Sequence, residues 1–254
     1  METRPTIGNV CMLLVLTLIS LGIGCTESQI ITYSQQDGKL YVIDKATYAQ
    51  TELTDLSAFS IEDGSALTFI TRDTFYLHRG TDTTLFRVDI SNPASPIVTE
   101  LGNCPECGGG MARCKDGVLY SVTGEPSNLY IIDPVTLDST LVGGLGIYTG
   151  TLGLTCEPTT DELYVLGGNV DALYTINKAT GQATLKGSMG IDVQGGIGLE
   201  FDPLSPYTLY ASVSISGGET YTLLTIDPNT GAATILADLI HGNKNLGARI
   251  IDKE

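Results

Sequence analysis

A five-residue segment recurs five times along this chain at nearly constant spacing, and that recurrence limits the fold more than any other feature. Leu40-Tyr41-Val42-Ile43-Asp44 returns as Leu85-Phe86-Arg87-Val88-Asp89, Leu129-Tyr130-Ile131-Ile132-Asp133, Leu173-Tyr174-Thr175-Ile176-Asn177 and Leu223-Leu224-Thr225-Ile226-Asp227. The intervals are 45, 44, 44 and 50 residues. Ahead of each copy runs a second β-prone segment carrying a tyrosine: Tyr33, Tyr76, Tyr120, Tyr164 and Tyr210. Two registers of β-branched and aromatic residues repeating together at this period predict one small sheet per repeat.

The remainder of each repeat supplies two more strands. After the Asp or Asn comes a turn such as Asp227-Pro228-Asn229-Thr230-Gly231, in which the acid accepts backbone N–H groups and Gly tolerates positive φ. A short outer strand then starts near Thr51, Thr99, Thr140, Thr184 and Thr234. A further strand opens the next repeat, at Leu67-Thr68-Phe69, Ala112-Arg113-Cys114, Leu154-Thr155-Cys156 and Leu199-Glu200-Phe201. The first repeat lacks this opening strand, whereas Gly247-Ala248-Arg249-Ile250-Ile251 has its character and is followed by no further repeat. Pairing the last strand with the first repeat removes both open edges. The expectation is an all-β, five-bladed β-propeller over 25–254, four antiparallel strands per blade, closed by its C-terminal strand. A linear solenoid would instead need polar caps at both ends.

The first 24 residues are set apart from this pattern. The run from Val10 to Ile23 is apolar, uncharged and short for a bilayer span, which predicts a signal peptide over 1–24. Leu21-Gly22-Ile23-Gly24-Cys25 resembles the lipobox of bacterial lipoproteins: Gly24 fits, while Gly22 stands where that family prefers Leu. The resemblance implies lipidation at Cys25; an ordinary cleaved signal is the alternative. Localisation outside the cytoplasm, lipid-anchored to the cell envelope or secreted, follows from either.

A formal net charge of -16 repels nucleic acid and anionic headgroups, so no nucleic-acid partner is expected and membrane contact only through an N-terminal lipid. The absence of Trp removes the Trp-Asp signature of WD40 blades and the Asp-box of sialidases. The repeats resemble those of secreted bacterial propellers built on Leu-Tyr-x-Ile-Asp-Pro-x-Thr-Gly, and Val88-Asp89-Ile90-Ser91-Asn92-Pro93 resembles the LVIVD repeat of surface proteins. That likeness implies architecture and no substrate.

Candidate chemistry therefore lies where repeats differ. Cys104-Pro105-Glu106-Cys107 occupies a loop, with Cys114 and Cys156 on opening strands of successive repeats. In an exported chain these point to disulfides, and a Cys104 to Cys107 bridge is favoured over metal or redox roles. Cys114 and Cys156, at like positions on neighbouring blades, need not face each other. The histidines, His78 and His241, fall on other blades, so no metal site and no cofactor is expected.

Aligned by their apolar neighbours, the opening strands place Thr68, Arg113, Thr155, Glu200 and Arg249 in one register, one per blade, toward the central channel. Two readings stay open: a plug in which Glu200 neutralises Arg249, or a site where Arg113 holds a small anionic ligand. The loops entering these strands offer Tyr148, Asp192, His241 and Asn243 for recognition. No nucleophile and base stand out. The expectation is a binding or scaffold propeller for a small anionic ligand, a glycan or an envelope protein, with no catalytic residue assigned. The alternatives are a purely structural repeat and a lactonase-type or glycoside-hydrolase-type enzyme working at the channel mouth.

Overall fold

Every repeat becomes one antiparallel sheet of four strands, and five such sheets form the blades of a five-bladed β-propeller. This computed structural model describes residues 25–253 apart from 62, 149, 151, 205, 216–219, 241 and 242. The expected signal peptide, the side chain of Cys25 and all of His241 lie outside the described residues. Blade 1 begins with β1 (Cys25–Ser34), β2 (Lys39–Ile43) and β3 (Gln50–Asp55). Blade 2 is β4 (Gly64–Phe69), β5 (Thr74–Arg79), β6 (Thr84–Asp89) and β7 (Ile97–Asn103). Blade 3 is β8 (Gly110–Arg113), β9 (Leu119–Val122), β10 (Asn128–Ile132) and β11 (Ser139–Gly144). Blade 4 is β12 (Leu152–Cys156), β13 (Leu163–Gly167), β14 (Ala172–Ile176) and β15 (Ala183–Ser188). Blade 5 is β16 (Gly195–Phe201), β17 (Leu209–Ser214), β18 (Tyr221–Ile226) and β19 (Ala233–Leu239). The chain then crosses to blade 1 as β20 (Asn243–Lys253), whose partner in that sheet is β1.

Closure by the C-terminal strand is therefore observed, with Thr32 opposite Leu246 and Gln29 opposite Arg249. The innermost strands β4, β8, β12, β16 and β20 each touch the next, and β20 touches β4. The core follows from strand alternation. Each strand sends one set of side chains toward the preceding blade and the other toward the following one. The apolar interior is accordingly divided into five clusters, one at each blade interface. Ile31 and Leu40 of blade 1 meet Phe75 and Leu77 of blade 2 in one of them, all fully buried. Each such side chain contributes about 1.5–3 kcal/mol on burial, so a blade without a neighbour would lose most of its support.

Antiparallel connections alternate between the two ends of the ring. At the entry face, where innermost strands begin, lie the loops between blades and those joining second to third strands. At the exit face lie the turns joining first to second and third to fourth strands. The repeated Asp or Asn organises the latter turn: Asp44 Oδ1 accepts from the N–H of Ala46 at 3.0 Å and Thr47 at 2.7 Å, and Asn177 Oδ1 from Ala179 at 2.9 Å. Gly181 and Gly231 have φ of 78° and 76° and pack against Gly143 and Gly187 on the outer strand of the preceding blade, leaving no room for a Cβ. Thr-Gly in the motif is thus as much an interblade contact as a turn signal.

Two registers deserve comparison with the sequence pattern. The threonines Thr51, Thr99, Thr140, Thr184 and Thr234 do occupy one rung, opposite Val42, Arg87, Ile131, Thr175 and Thr225. Each outermost strand also carries a bulge two residues on, which sharpens the local twist. The tyrosines are equivalent in four blades only. Tyr76, Tyr120, Tyr164 and Tyr210 face Arg87, Ile131, Thr175 and Thr225, but Tyr33 faces Leu40, and Ile31 opposite Val42 takes the equivalent place. Tyr33 instead reaches the loop that leads into blade 2, where its hydroxyl donates to the Ile61 carbonyl.

Candidate functional site

The central channel is built from one strand of each blade, and glycines bring those strands close together. Gly110, Gly153 and Gly198 line it with Ser65, Ala66, Met111 and Asn245. The space left is about 10 Å³, room for roughly one water. A ligand therefore has no seat midway along the axis.

The five residues expected in one channel register do not share it. Thr68, Thr155 and Glu200 pair with the equivalent tyrosines Tyr76, Tyr164 and Tyr210. In blade 3 the residue opposite Tyr120 is Ala112; Arg113 lies one step further, opposite Leu119. In blade 1 the residue opposite Ile31 is Gly247, and Arg249 lies two steps further. The proper register is Thr68, Ala112, Thr155, Glu200 and Gly247. A slip of one residue turns a side chain to the other face, and Arg113 accordingly points back to blade 2, exposed, donating to the Ile70 carbonyl at 3.1 Å. Its backbone N–H is held by Thr68 Oγ1 at 3.1 Å.

Arg249 is only 8% exposed and finds its partners at the exit face. It donates to Asp73 Oδ1 at 2.8 Å and to Gln29 Oε1 at 2.9 Å, so the expected pairing with Glu200 is replaced by one with Asp73. Glu200 accepts instead from Thr155 Oγ1 at 3.0 Å. Burial deep in the ring pushes its carboxyl up to about 8, against the opposing effects of the Thr155 hydroxyl and the Phe201 N–H. Part of the side chain still reaches solvent.

Other polar groups form latches between blades. Lys178 Nζ meets Asp161 at 2.8 Å and Asp116 at 3.1 Å, joining blades 4 and 3. Lys45 Nζ meets Asp202 at 2.9 Å, joining blades 1 and 5. Cys104 and Cys107 are bridged, with Cα atoms 5.5 Å apart. Cys114 and Cys156 are bridged too, Cα atoms 5.4 Å apart, although their like positions suggested that they need not meet. The reason is the same one-step offset: Cys114 lies beyond the β8 register and faces blade 4. Asp161 approaches these sulfurs, and the three together have metal-ligand spacing. Asp161 is already engaged by Lys178 and by the Lys115 N–H at 2.6 Å, so the cluster is an interblade latch.

One contact escaped sequence reasoning. Ser65 Oγ lies 2.6 Å from Nδ1 of the buried His78, whose Nε2 lies 3.2 Å from the Cys104 carbonyl. Burial lowers the His78 pKa, favouring a neutral ring that accepts from Ser65 and donates to Cys104. No carboxylate takes the third place, and Ser65 opens onto the narrow channel, which leaves no room for a substrate. The two residues are 13 apart, on paired strands of one hairpin, and only the strand register reveals the contact.

The entry face is the contrasting surface. Phe59, Tyr148, Val170 and Ile240 are exposed there, Tyr148 at 54%. Its described carboxylates include Asp63, Asp82, Glu106, Glu125, Asp171 and Asp192, while Arg79 is occupied by Asp82 at 2.6 Å. Tyr148 Oη and Glu125 Oε2 are 3.5 Å apart, and Asp192 accepts from Gln194 at 2.7 Å. Asn243 starts β20 at this face.

No family model matches the chain, and no curated protein matches it. A chain in the structure titled crystal structure of nidogen/laminin complex superposes with a TM-score of 0.55 at 12% identity, covering 88% of this chain and 98% of that one. A chain of Kuenenia stuttgartiensis hydrazine synthase gives 0.48 at 17% identity over 76% of this chain, which spans about half (53%) of that longer one. At such identity the likeness is one of fold: the chain is a five-bladed β-propeller.

Proposed function

We propose that this propeller is an extracytoplasmic binding or scaffold module, held at the cell envelope by a lipid on Cys25, that meets its partner through the entry face. A single observation carries the reading. The described aromatic side chains that are exposed, Phe59 and Tyr148, both lie on the face with variable loops, whereas the channel is closed and the exit face carries the ion-pair latches. Aromatic rings with polar neighbours suit sugar faces or protein surfaces. The surrounding carboxylates disfavour a small anion, so a neutral glycan or an envelope protein is the partner class. A propeller hydrolase would need carboxylates gathered about the channel, and among the described residues Glu200 alone occupies that register.

The test is a glycan and envelope-protein array run beside a hydrolase screen, with wild type and a Phe59→Ala, Tyr148→Ala double variant. Binding should fall at least tenfold in the variant while its melting temperature stays within about 2 °C, since these side chains support no core. Binding retained in the variant, or turnover of a lactone or glycoside, would displace the reading.

A further inference from the structure

The two ends of the propeller chain leave together from one face, and that fixes which way the molecule stands. In blades 2 to 5 the first and second strands are joined by a turn at the exit face. In blade 1 they are β20 and β1, so the equivalent place is an open ribbon. β2 pairs with β1 only from Ile30 onward, whereas β20 accompanies β1 down to Cys25, which lies opposite Lys253. The five residues from Cys25 to Gln29 span roughly 15 Å as extended strand. They are tied at the exit face: Lys45 Nζ donates to Ser28 Oγ at 2.6 Å, and Arg72 meets Asp252 at 2.6 Å. The ribbon is thus a stiff post, not a loose linker.

We infer that the exit face is the side of the ring turned toward the membrane, with the β1/β20 post setting the stand-off and the entry face turned away from it. The inference rests on the envelope-anchoring reading for its setting, and its geometry holds for an acyl group on Cys25 or for the apolar run before it. It makes the exposed residues of the entry face available to partners in the surrounding space instead of to the membrane.

Fluorophores on Val135→Cys, in an exit-face turn and 89% exposed, and on Asp192→Cys at the entry face report the orientation by energy transfer to headgroup-labelled lipid. In membranes from cells making the full chain, transfer at position 135 should exceed that at 192 at least threefold. Equal or reversed transfer in membrane-bound protein would overturn the orientation. If the full chain instead leaves the membrane fraction, the anchoring reading fails by itself. The orientation is then judged on protein coupled through the Cys25 thiol to maleimide lipid in vesicles containing phosphatidylglycerol. There the same contrast should appear. No contrast in that arm would sink the inference.

Discussion

The two faces of this ring are made by the same repeat yet use their side chains in opposite ways. At the exit face the turns are short, and charged groups join one blade to the next: Arg249 to Asp73, Lys178 to Asp116 and Asp161, Lys45 to Asp202. At the entry face the ion pair of Arg79 is with Asp82, three residues away in the same hairpin, and the aromatic side chains of Phe59 and Tyr148 stay exposed. One end stores the connections that fix the shape, which leaves the other end free to vary. A repeat protein can thus change its partner without losing its ring.

The largest effect should come from removing the seam at the exit face. Deleting the chain from Gly247 onward takes the lower part of β20 from blade 1, strips Ile30 and Ile31 of a paired neighbour and leaves an open edge. Cooperative thermal unfolding should disappear. A truncated protein that melts in one transition near the wild-type temperature would show that the ring holds without its closing strand.

The two disulfides offer the next comparison, because one lies at each face. Cys114 and Cys156 join blades 3 and 4 across 42 residues of sequence, whereas Cys104 and Cys107 are separated by 3 within an entry loop. Loop-closure entropy puts the longer bridge at about 4 kcal/mol and the shorter at about 2, before any native strain. Cys114→Ser with Cys156→Ser should therefore lower stability clearly more than Cys104→Ser with Cys107→Ser. Denaturant titration of both double variants measures the difference, and a reversed order would break the contrast between the faces.

Ion pairs extend the contrast on a smaller scale. Asp73→Ala leaves the largely buried Arg249 with Gln29 as its described side-chain partner and should cost about 1–2 kcal/mol, discounted because Asp73 is itself a third exposed. Arg113→Ala removes an exposed side chain and should change stability by less than about 0.5 kcal/mol. At the entry face Asp82→Ala should scarcely move the melting temperature. Equal losses for Asp73→Ala and Asp82→Ala would mean that the exit-face latches carry no special weight.

How much of this was legible in the sequence depends on what kind of information each feature needs. Strand number, repeat count and ring closure were readable because they rest on a long periodic pattern, where one error is outvoted by four other copies. The site was not, because it depends on single-residue phase. At the end of β8 Ala112 and Cys114 flank Arg113 with small apolar side chains, so the apolar pattern fits two phases equally well, and only the pairing with Tyr120 chooses between them. Tyr33 misled in the same way: it stands 7 residues before Leu40, whereas Tyr76 stands 9 before Leu85, a difference visible in the spacing. The bond between Ser65 and His78 crosses a hairpin and left no mark in the pattern.

Glu200 belongs to neither face, and its behaviour tests whether the latches need an unpaired acid inside the ring. Burial disfavours the charged form and pushes its carboxyl up from an ordinary value of 4.5 to about 8 in the folded protein. The folded state thus keeps a proton that the unfolded state releases between those two values. Stability from this group is fully present below about 4.5, falls as pH rises toward about 8, and is level above that. Glu200→Gln should keep the Thr155 hydrogen bond and remove this dependence. The variant should match wild type near pH 4.5 and exceed it by on the order of 1–2 kcal/mol at pH 9, allowing for the part of the side chain that reaches solvent. Subtracting the two stability curves isolates Glu200 from the turn carboxylates of Asp44 and Asp227, which hydrogen bonds from turn side chains and backbone N–H groups hold below the ordinary range and which act in the opposite sense. A flat difference curve would mean that a cation compensates the Glu200 carboxylate in the folded ring, and the interior would then be latched by charge as the exit face is.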